Sequence, residues 1–500
     1  MQILDKNADQ LAQPLVIADC PNPPMKRYER HADSIAELIH SGALRPGERL
    51  PSVREASRAR GISPSTVFEA YYLLEAQGLI HARPRSGYYV TARMPPAAGP
   101  PSGEPHASQP RNRSTEVAVS ELVFEVLGSA RECSLVPLGS AFPGLELFPL
   151  ERLARCLSSG MRRLDPWDIV QSLSQGDARL RQQIALRYGL HGVAVHADEI
   201  IVTNGAMEAL NLCLEAVTRP GDVVAVESPT FYAALQALER RNLQALEIAT
   251  HPRDGIELAA LAHALEHHPV RACWLMPSFQ NPLGSLMPEN RKRELVALLA
   301  RHQVPLIEDD VYGELHFAPR RPPPAKAFDA EGLVMHCSSF TKCLAPGYRV
   351  GWVAAGRFAT EVERLKLMTT LATATPSQRA LSEYLAQGSY ERHLRQLRSS
   401  LARQQDRALA AIARHFPAGT RVSRPEGGYF VWVELPAGTN ALALHRKALE
   451  HGISLAPGQI FSADQRFAHC VRINYGHPAH SGFDEALRVV GELAKRLTPN

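Results

Sequence analysis

The chain lacks the marks of several large protein classes. Its eight cysteines (20, 133, 156, 213, 273, 337, 343 and 470) are scattered, with no C-x-x-C pair among them. A disulfide scaffold and a zinc site are therefore not expected, no metal ligand is assigned, and reduced, buried thiols in a cytoplasm fit the pattern. No uncharged apolar run approaches the roughly 18 residues of a membrane span, so no membrane partner is expected. The opening residues MQILDKNADQ show no basic segment followed by an apolar one, so no signal peptide is expected. An excess of either charge is missing too: 55 Lys+Arg face 51 Asp+Glu, a net charge of +4. Neither a histone-like polycation nor an acidic disordered chain has that balance.

What is there is length and a hidden asymmetry. Five hundred residues, 45% of them hydrophobic, are enough for two or three domains with real cores. Residues 26–93 hold eleven basic and seven acidic side chains, while the rest of the chain holds 44 of each. The whole positive excess lies in one N-terminal piece, which points to an anionic partner there. A break follows: residues 94–113 contain six prolines and two glycines and almost no large apolar side chains. Such a stretch reads as a semi-extended linker able to span roughly 60 Å at about 3.1 Å per residue. The expected division is a small domain over 25–93, a Pro-rich linker over 94–115 and a large domain over 116–500.

In the small domain, Ala32, Ile35, Ala36 and Ile39 recur at helical spacing. A second helix starts after Leu50-Pro51-Ser52 and runs to Gly61. A third starts at Ser63-Pro64-Ser65-Thr66, where Ser63 caps the first turn and Pro64 fills a position that needs no amide hydrogen. The run LIHARPRSGYYV then reads as two strands around a basic turn from Arg83 to Gly87. Three helices and a basic hairpin make a winged helix-turn-helix, whose third helix enters the DNA major groove. Ser63, Ser65 and Thr66 sit at the reading end of that helix. Arg54, Arg83 and Arg85, with Gly87 closing the turn, would contact backbone or minor groove. A small helical docking domain is the alternative.

The run LRPGERLPSVREASRARGISPSTVFEAYYLLEAQGLIHARPRSGYYV resembles the DNA-binding domain of the GntR family of bacterial regulators over essentially its full length. The features that carry the resemblance are PG-x-x-LPS-x-RE, S-x-S/T-T-V and the terminal SG-Y/F-x-V. One departure stands out: many members of that family have Arg where this chain has Pro64, so the target sequence does not transfer.

In the large domain, short apolar strands alternate with amphipathic stretches: 199–203, 223–226, 272–276, 304–308, 334–339 and 349–355. The expected fold class is α/β, a mostly parallel central sheet with sites at strand ends and a smaller C-terminal α+β subdomain. Polar residues punctuate those ends. Gly205 and Ala206 open a helix whose free amides favour a phosphate. Phe231 or Tyr232 is placed to stack on a flat ring and Asn281 to bond a ring hydroxyl. Asp309 suits a pyridinium nitrogen and Tyr312 a phenolate oxygen. Ser339 and Arg349 suit a phosphate, and Lys342 can form a Schiff base with an aldehyde. Singly, each of these is more often a turn, a core residue or a solvated charge.

The ordered set resembles fold-type I pyridoxal-phosphate enzymes of the aspartate aminotransferase superfamily, through S-x-x-K-x-x-x-P-G-x-R-x-G (Ser339 to Gly351), D-x-x-Y and N-P-x-G, over about 130–490. The resemblance implies pyridoxal 5'-phosphate as cofactor, with Lys342 bonded to its aldehyde and Asp309 keeping the ring nitrogen protonated. It implies Tyr312 and Asn281 at the ring oxygen, Phe231 stacked, and Gly205, Ala206, Ser339 and Arg349 around the phosphate. In CVRINYG, Arg472 matches the arginine that grips an α-carboxylate. Aminotransferases usually have a tyrosine shortly before the glycine at Gly176, reaching the neighbouring subunit's phosphate. Here only Gln171, Ser172 or Ser174 stand in its place.

A GntR-like domain, a linker and an aminotransferase-like domain in that order resemble the MocR subfamily of transcriptional regulators. The resemblance implies a cytoplasmic homodimer that binds operator DNA and senses an amino acid, an amine or the cofactor itself. A working aminotransferase carrying a DNA-binding domain is the alternative.

Overall fold

The computed structural model describes residues 27–40, 43–76, 79–83, 86–91, 103–129, 135–478 and 482–499. The chain divides into two compact units, residues 1–93 and 94–500.

The small unit consists of α1 (Arg27–His40), α2 (Val53–Arg60), α3 (Pro64–Ala76) and an antiparallel hairpin of β1 (Ile80–Arg83) and β2 (Gly87–Val90). Local chemistry sets its breaks. Ser52 and Glu55 cap α2 reciprocally, the Glu55 amide donating to Ser52 Oγ at 3.3 Å and the Ser52 amide to Glu55 Oε2 at 2.7 Å. Gly61 ends α2 in the left-handed region at φ 64°. Ser63 caps α3 by accepting from the Thr66 amide at 3.2 Å. The inward stripe of α3, Val67, Ala70, Tyr71 and Leu74, is buried with Ala32, Ile35, Leu50 and Val90. Each large apolar side chain of this kind stabilises the unit by about 1.5–3 kcal/mol. The Tyr71 hydroxyl donates to the Pro51 carbonyl at 2.8 Å, pinning α3 to the start of α2.

The large unit opens with β3 (Ser114–Glu116), α4 (Ser120–Ser129), α5 (Leu150–Arg162), α6 (Pro166–Gln171) and α7 (Ala178–Leu190). Strands and helices then alternate through β4 (Ile200–Thr203), α8 (Ala206–Val217), β5 (Val223–Ser228), α9 (Tyr232–Arg240), β6 (Gln244–His251), β7 (Gly255–Ile256), α10 (Leu258–His267), β8 (Val270–Leu275), α11 (Glu289–His302), β9 (Leu306–Asp309), β10 (Val334–Ser339) and β11 (Gly351–Ala354). After α12 (Ala359–Thr369), α13 (Thr375–Ala386) and α14 (Tyr390–His415) come β12 (Arg421–Val422), β13 (Phe430–Glu434), α15 (Ala441–Glu450), β14 (Ala456–Pro457), β15 (Cys470–Asn474) and α16 (Phe483–Leu497).

The central sheet runs β3-β6-β5-β8-β9-β10-β11-β4, with β7 beside β6. The pairs from β6 to β10 are parallel, and β11 lies antiparallel between β10 and β4. The sheet is thus mixed, and parallel through its middle. Strands such as β5, buried along all six residues, read as continuous apolar runs because helices cover both faces. A second, antiparallel sheet, β12-β13-β15-β14, forms the smaller C-terminal α+β part.

The expected linker needs correction at its C-terminal end. From Gly103 onward the chain is fastened to the large unit. Gly103 bridges to Arg421, Glu104 pairs with Arg253 at 2.6 Å, and the His106 amide donates to Glu434 at 2.8 Å. Ser108 and Thr250 exchange hydrogen bonds at 2.9 and 3.1 Å before β3 joins the sheet edge. Polar side chains make these attachments, so a low apolar content did not reveal them. Residues 92–102 lie outside the described residues.

Candidate functional site

The C-terminal ends of β9 and β10 and the start of α8 converge in the large unit. Asp309 closes β9, where β10's Cys337 lies in register beside it. It is buried, and its Oδ1 has no hydrogen-bond partner among the described residues. Burial, with the neighbouring Asp310 charge, pushes its carboxyl up to about 7. Lys342 follows β10. Burial, with the nearby Arg472 and Arg349 charges, lowers its ammonium to about 7, and Asp309 opposes that shift. Its Nζ donates to the Ala141 carbonyl at 2.7 Å and lies 4.0 Å from the Phe142 ring centroid.

Gly205, at φ 87°, turns the chain from β4 into α8, and no side chain among the described residues caps that helix start. Arg349 is exposed and in the left-handed region at φ 53°, and its Nη2 donates to the Asn204 carbonyl at 3.2 Å. A Cβ on Gly205 would lie 2.5 Å from that Nη2, and a Cβ on Gly351 would lie 2.5 Å from the Gly205 carbonyl carbon. Glycine is therefore required at both positions. Ser339, at the end of β10, is buried and accepts from the Thr341 amide at 3.3 Å, and the buried Thr341 Oγ1 has no partner.

Arg472, on β15, is fully buried. Its Nη1 donates to Asn281 Oδ1 at 3.0 Å and its Nη2 to the carbonyls of Gly139 and Ser140 at 2.7 and 3.2 Å. Phe430 stacks under the guanidinium at 4.2 Å. Among the described residues, neither its Nε nor Asn281 Nδ2 has a hydrogen-bond partner. Arg187, Arg321, Arg379 and Arg398, also buried or nearly so, each face a carboxylate. The hydrogen-bond partners of Arg472 among the described residues are backbone carbonyls and an amide, with no carboxylate. Tyr312 is buried against Tyr429 and Phe430 at 5.5 and 5.6 Å, and burial raises its hydroxyl pKa. Half-buried Phe231 caps α9, its ring 4.9 Å from Tyr232, which reaches Phe461 and through it Arg472.

The residues expected at a cofactor therefore gather in one place, and some of their partners went unread in the sequence. Glu227, at the end of β5, is buried near Asp309 and accepts from the Met276 amide at 3.0 Å. Burial, with the Asp309 charge adding to it, pushes its carboxyl up to about 8. Its signal was the same as that of Asp309: an acid ending an apolar run. Glu208, in the first turn of α8, accepts from the Asn204 backbone and, at 3.0 Å, from its side chain, and also from Thr370. The segment from Gly139 to Phe142 works through backbone carbonyls, which no residue type announces.

Near Gly176, Ser172 Oγ turns back to the Asp168 carbonyl at 2.5 Å and Ser174 Oγ donates to Glu363 at 2.6 Å. Of the three possible substitutes for the missing tyrosine, Gln171 is exposed.

In the small unit, Arg54, Ser63 and Ser65 are exposed and Thr66 is half-buried. Ser63 Oγ lies 2.8 Å from both Ser65 Oγ and Thr66 Oγ1. Gly87, at φ 110°, opens β2 beside the Arg49 side chain. Arg83 pairs with Gly87 through its backbone, while its side chain and all of Arg85 lie outside the described residues.

Comparison with known proteins matches each unit. Residues 27–90 match the family of bacterial regulatory proteins of the gntR type, and residues 171–490 match aminotransferase class I and II. The HTH-type transcriptional regulator YdcR of Escherichia coli is 46% identical over 472 residues, covering 94% of this chain and 99% of that protein. Among solved structures, the Pyrococcus horikoshii kynurenine aminotransferase in complex with PMP aligns at a TM-score of 0.71 and 29% identity, covering 77% of this chain and 96% of that one. LysN, an alpha-aminoadipate aminotransferase of Thermus thermophilus complexed with N-(5'-phosphopyridoxyl)-L-leucine, aligns at 0.68 and 29%, covering 76% and 99%.

Proposed function

The chain belongs to the MocR subfamily of GntR-family transcriptional regulators, a gntR-type DNA-binding domain joined to an aminotransferase class I and II domain, and on that premise we propose that it is a pyridoxal-phosphate-dependent regulator whose large domain takes up an amino acid or amine, or responds to the cofactor alone. The observation that carries this reading is Arg472, a buried guanidinium beside Lys342 and Asp309 with no carboxylate partner among the described residues. A buried cation left without an anion is costly, and a ligand carboxylate would supply one in bidentate form.

The site's donors fit the cofactor. Asp309 Oδ1, Asn281 Nδ2 and Thr341 Oγ1 are buried without partners among the described residues, and the cradle at Gly205 has no room for a Cβ. When bound, the cofactor supplies an aldehyde and an electron-withdrawing ring. Asp309 would hold a proton at the ring nitrogen, and a pyridinium beside it would bring its carboxyl back toward the charged form. Asn281 and Tyr312 would hold the ring oxygen, and Phe231 would cover one face. Ser339, Arg349 and the first amides of α8, at Gly205 and Ala206, would hold the phosphate. Lys342 sheds its proton near neutrality, so its amine is available as a nucleophile where an ordinary lysine is not. A ligand carboxylate would take Arg472 from the Ser140 carbonyl and so pull on the Gly139–Phe142 segment, a local change that closure of the small C-terminal part could amplify.

The protein would act on operator DNA in the cytoplasm as a homodimer. No helix among the described residues is long and apolar enough to cross a membrane. Trp167, Ile169 and Val170 on α6 and Leu367, Met368 and Leu371 at the end of α12 are exposed, and the Ser174 amide joins the two stretches by donating to the Leu371 carbonyl. An apolar surface of that kind suits a second copy.

The test is operator binding by cofactor-free protein, cofactor-loaded protein, and loaded protein with a panel of amino acids. A change on adding an amino acid supports the reading; a change on loading alone makes the cofactor the effector. No change in either arm sinks it. The presence together of Lys342, Asp309 and Arg472 also favours a second reading, a working aminotransferase, which multiple turnover in a steady-state transamination assay would establish.

A further inference from the structure

Along α3 one side is buried and the other is open. The open stripe is Ser65, Phe68 and Glu69, with half-buried Tyr72 following at helical spacing. Phe68 stands out on it: the phenyl group is 49% exposed, one turn beyond Ser65. Its ring lies parallel to that of Tyr72, with centroids 6.3 Å apart and 13° between planes, so Tyr72 backs it from the next turn. Arg54, Arg58 and Arg60 are exposed on α2, the helix that precedes α3 in the helix-turn-helix.

We infer that Phe68 reads thymine, through contact of its ring with the C5-methyl group in the major groove. The inference rests on the reading of α3 as the recognition helix. A phenyl ring has no donor or acceptor, so it gains nothing from phosphates. Opposite a polar base edge it would strip water from that edge without replacing the hydrogen bonds. Among the groups that the four bases present in the major groove, the thymine methyl is the apolar one. Glu69, next to Phe68, is also exposed, on the adjoining side of the helix, and a carboxylate is repelled by phosphates but accepted at amino groups on base edges. Both neighbours thus point this part of the helix toward bases rather than backbone. A thymine-methyl contact is specific in a way that phosphate contacts are not.

The experiment uses the full chain loaded with pyridoxal phosphate. Duplexes enriched from random-sequence DNA by this protein are resynthesised with deoxyuridine for deoxythymidine at one position at a time, which deletes the methyl and leaves the base-pairing unchanged. Removing a contacted methyl is expected to weaken binding about fourfold in each half-site, the loss of one buried methyl-sized group. Phe68→Ala is expected to bind the thymine and uracil duplexes equally, and Phe68→Leu to retain part of the preference. Comparing variant and wild type on both duplexes removes any effect of uracil on DNA stiffness. Equal affinity of the wild-type chain for every uracil duplex overturns the inference, as does a thymine preference that survives Phe68→Ala. If no duplex is enriched at all, the recognition-helix reading fails with it, and the two failures are distinct.

Discussion

The two units put their candidate site residues in opposite surroundings. Arg54, Ser63, Ser65 and Phe68 stand in solvent, whereas Asp309, Asn281 and Arg472 are buried. Exposed groups meet their partner across water, so each one contributes little, salt screens them, and the sum matters more than any member. Buried groups act where there is no water to substitute for them. A single change there leaves a neighbour uncompensated. The same protein should therefore be fragile in one unit and graded in the other.

The strongest test of that contrast is Lys342→Ala. It should abolish covalent cofactor attachment and the visible absorption band that goes with it; an unchanged spectrum would name the wrong lysine. Next is Arg472→Ala, expected to weaken carboxylate-bearing effectors by roughly one to two orders of magnitude while sparing amines that lack a carboxylate. Spectral titration of the loaded protein checks it, and equal losses for both ligand types would remove Arg472 from carboxylate recognition.

Proton linkage gives a third effect, in the cofactor-free protein. Between about pH 4 and 7 folded Asp309 keeps a proton that an unfolded Asp has released, so stability falls as pH rises through that window. Between about pH 7 and 10 folded Lys342 has lost a proton that an unfolded Lys retains, so stability rises with pH there. Together the two groups carve a minimum near neutrality. In thermal melts across pH, Asp309→Asn should flatten the acid arm, and a fall that persists unchanged would mean other groups cause it. The smallest effect is expected for Arg54→Ala, a few-fold loss of DNA affinity with the salt slope reduced by about one. A loss as abrupt as that of Lys342→Ala would break the contrast between the units.

Legibility in the sequence followed the same divide between side chains and backbone. Asp309, Lys342 and Arg349 could be read because strong chemistry stands where apolar strands end. The helix-turn-helix could be read because Ser52, Gly61 and Ser63 mark its breaks. Glu227 carried a comparable mark, just past the apolar run 223–226, and drew no role from the sequence. The carbonyls of Gly139, Ser140 and Ala141, which hold Arg472 and Lys342, carry no mark, since every residue has one. Strand β6 mixes polar and apolar residues (QALEIATH), and the reversal of β11 depends on where a chain crosses the sheet rather than on its pattern. Likewise, the docking of residues 103–113 rests on pairs such as Glu104 with Arg253, 149 positions apart.

The pressed contact between Gly205 and Gly351 also bounds what mutation can explore. One added methyl at either position lands on the guanidinium or the backbone that would receive the phosphate, so a saturation library selected for cofactor uptake should return glycine at both. Phe68, half-exposed and stacked on Tyr72, should vary freely in that selection and be held only when DNA sequence is the target. Heredity would then see two clocks in one chain, one stopped by packing and the other set by the operator.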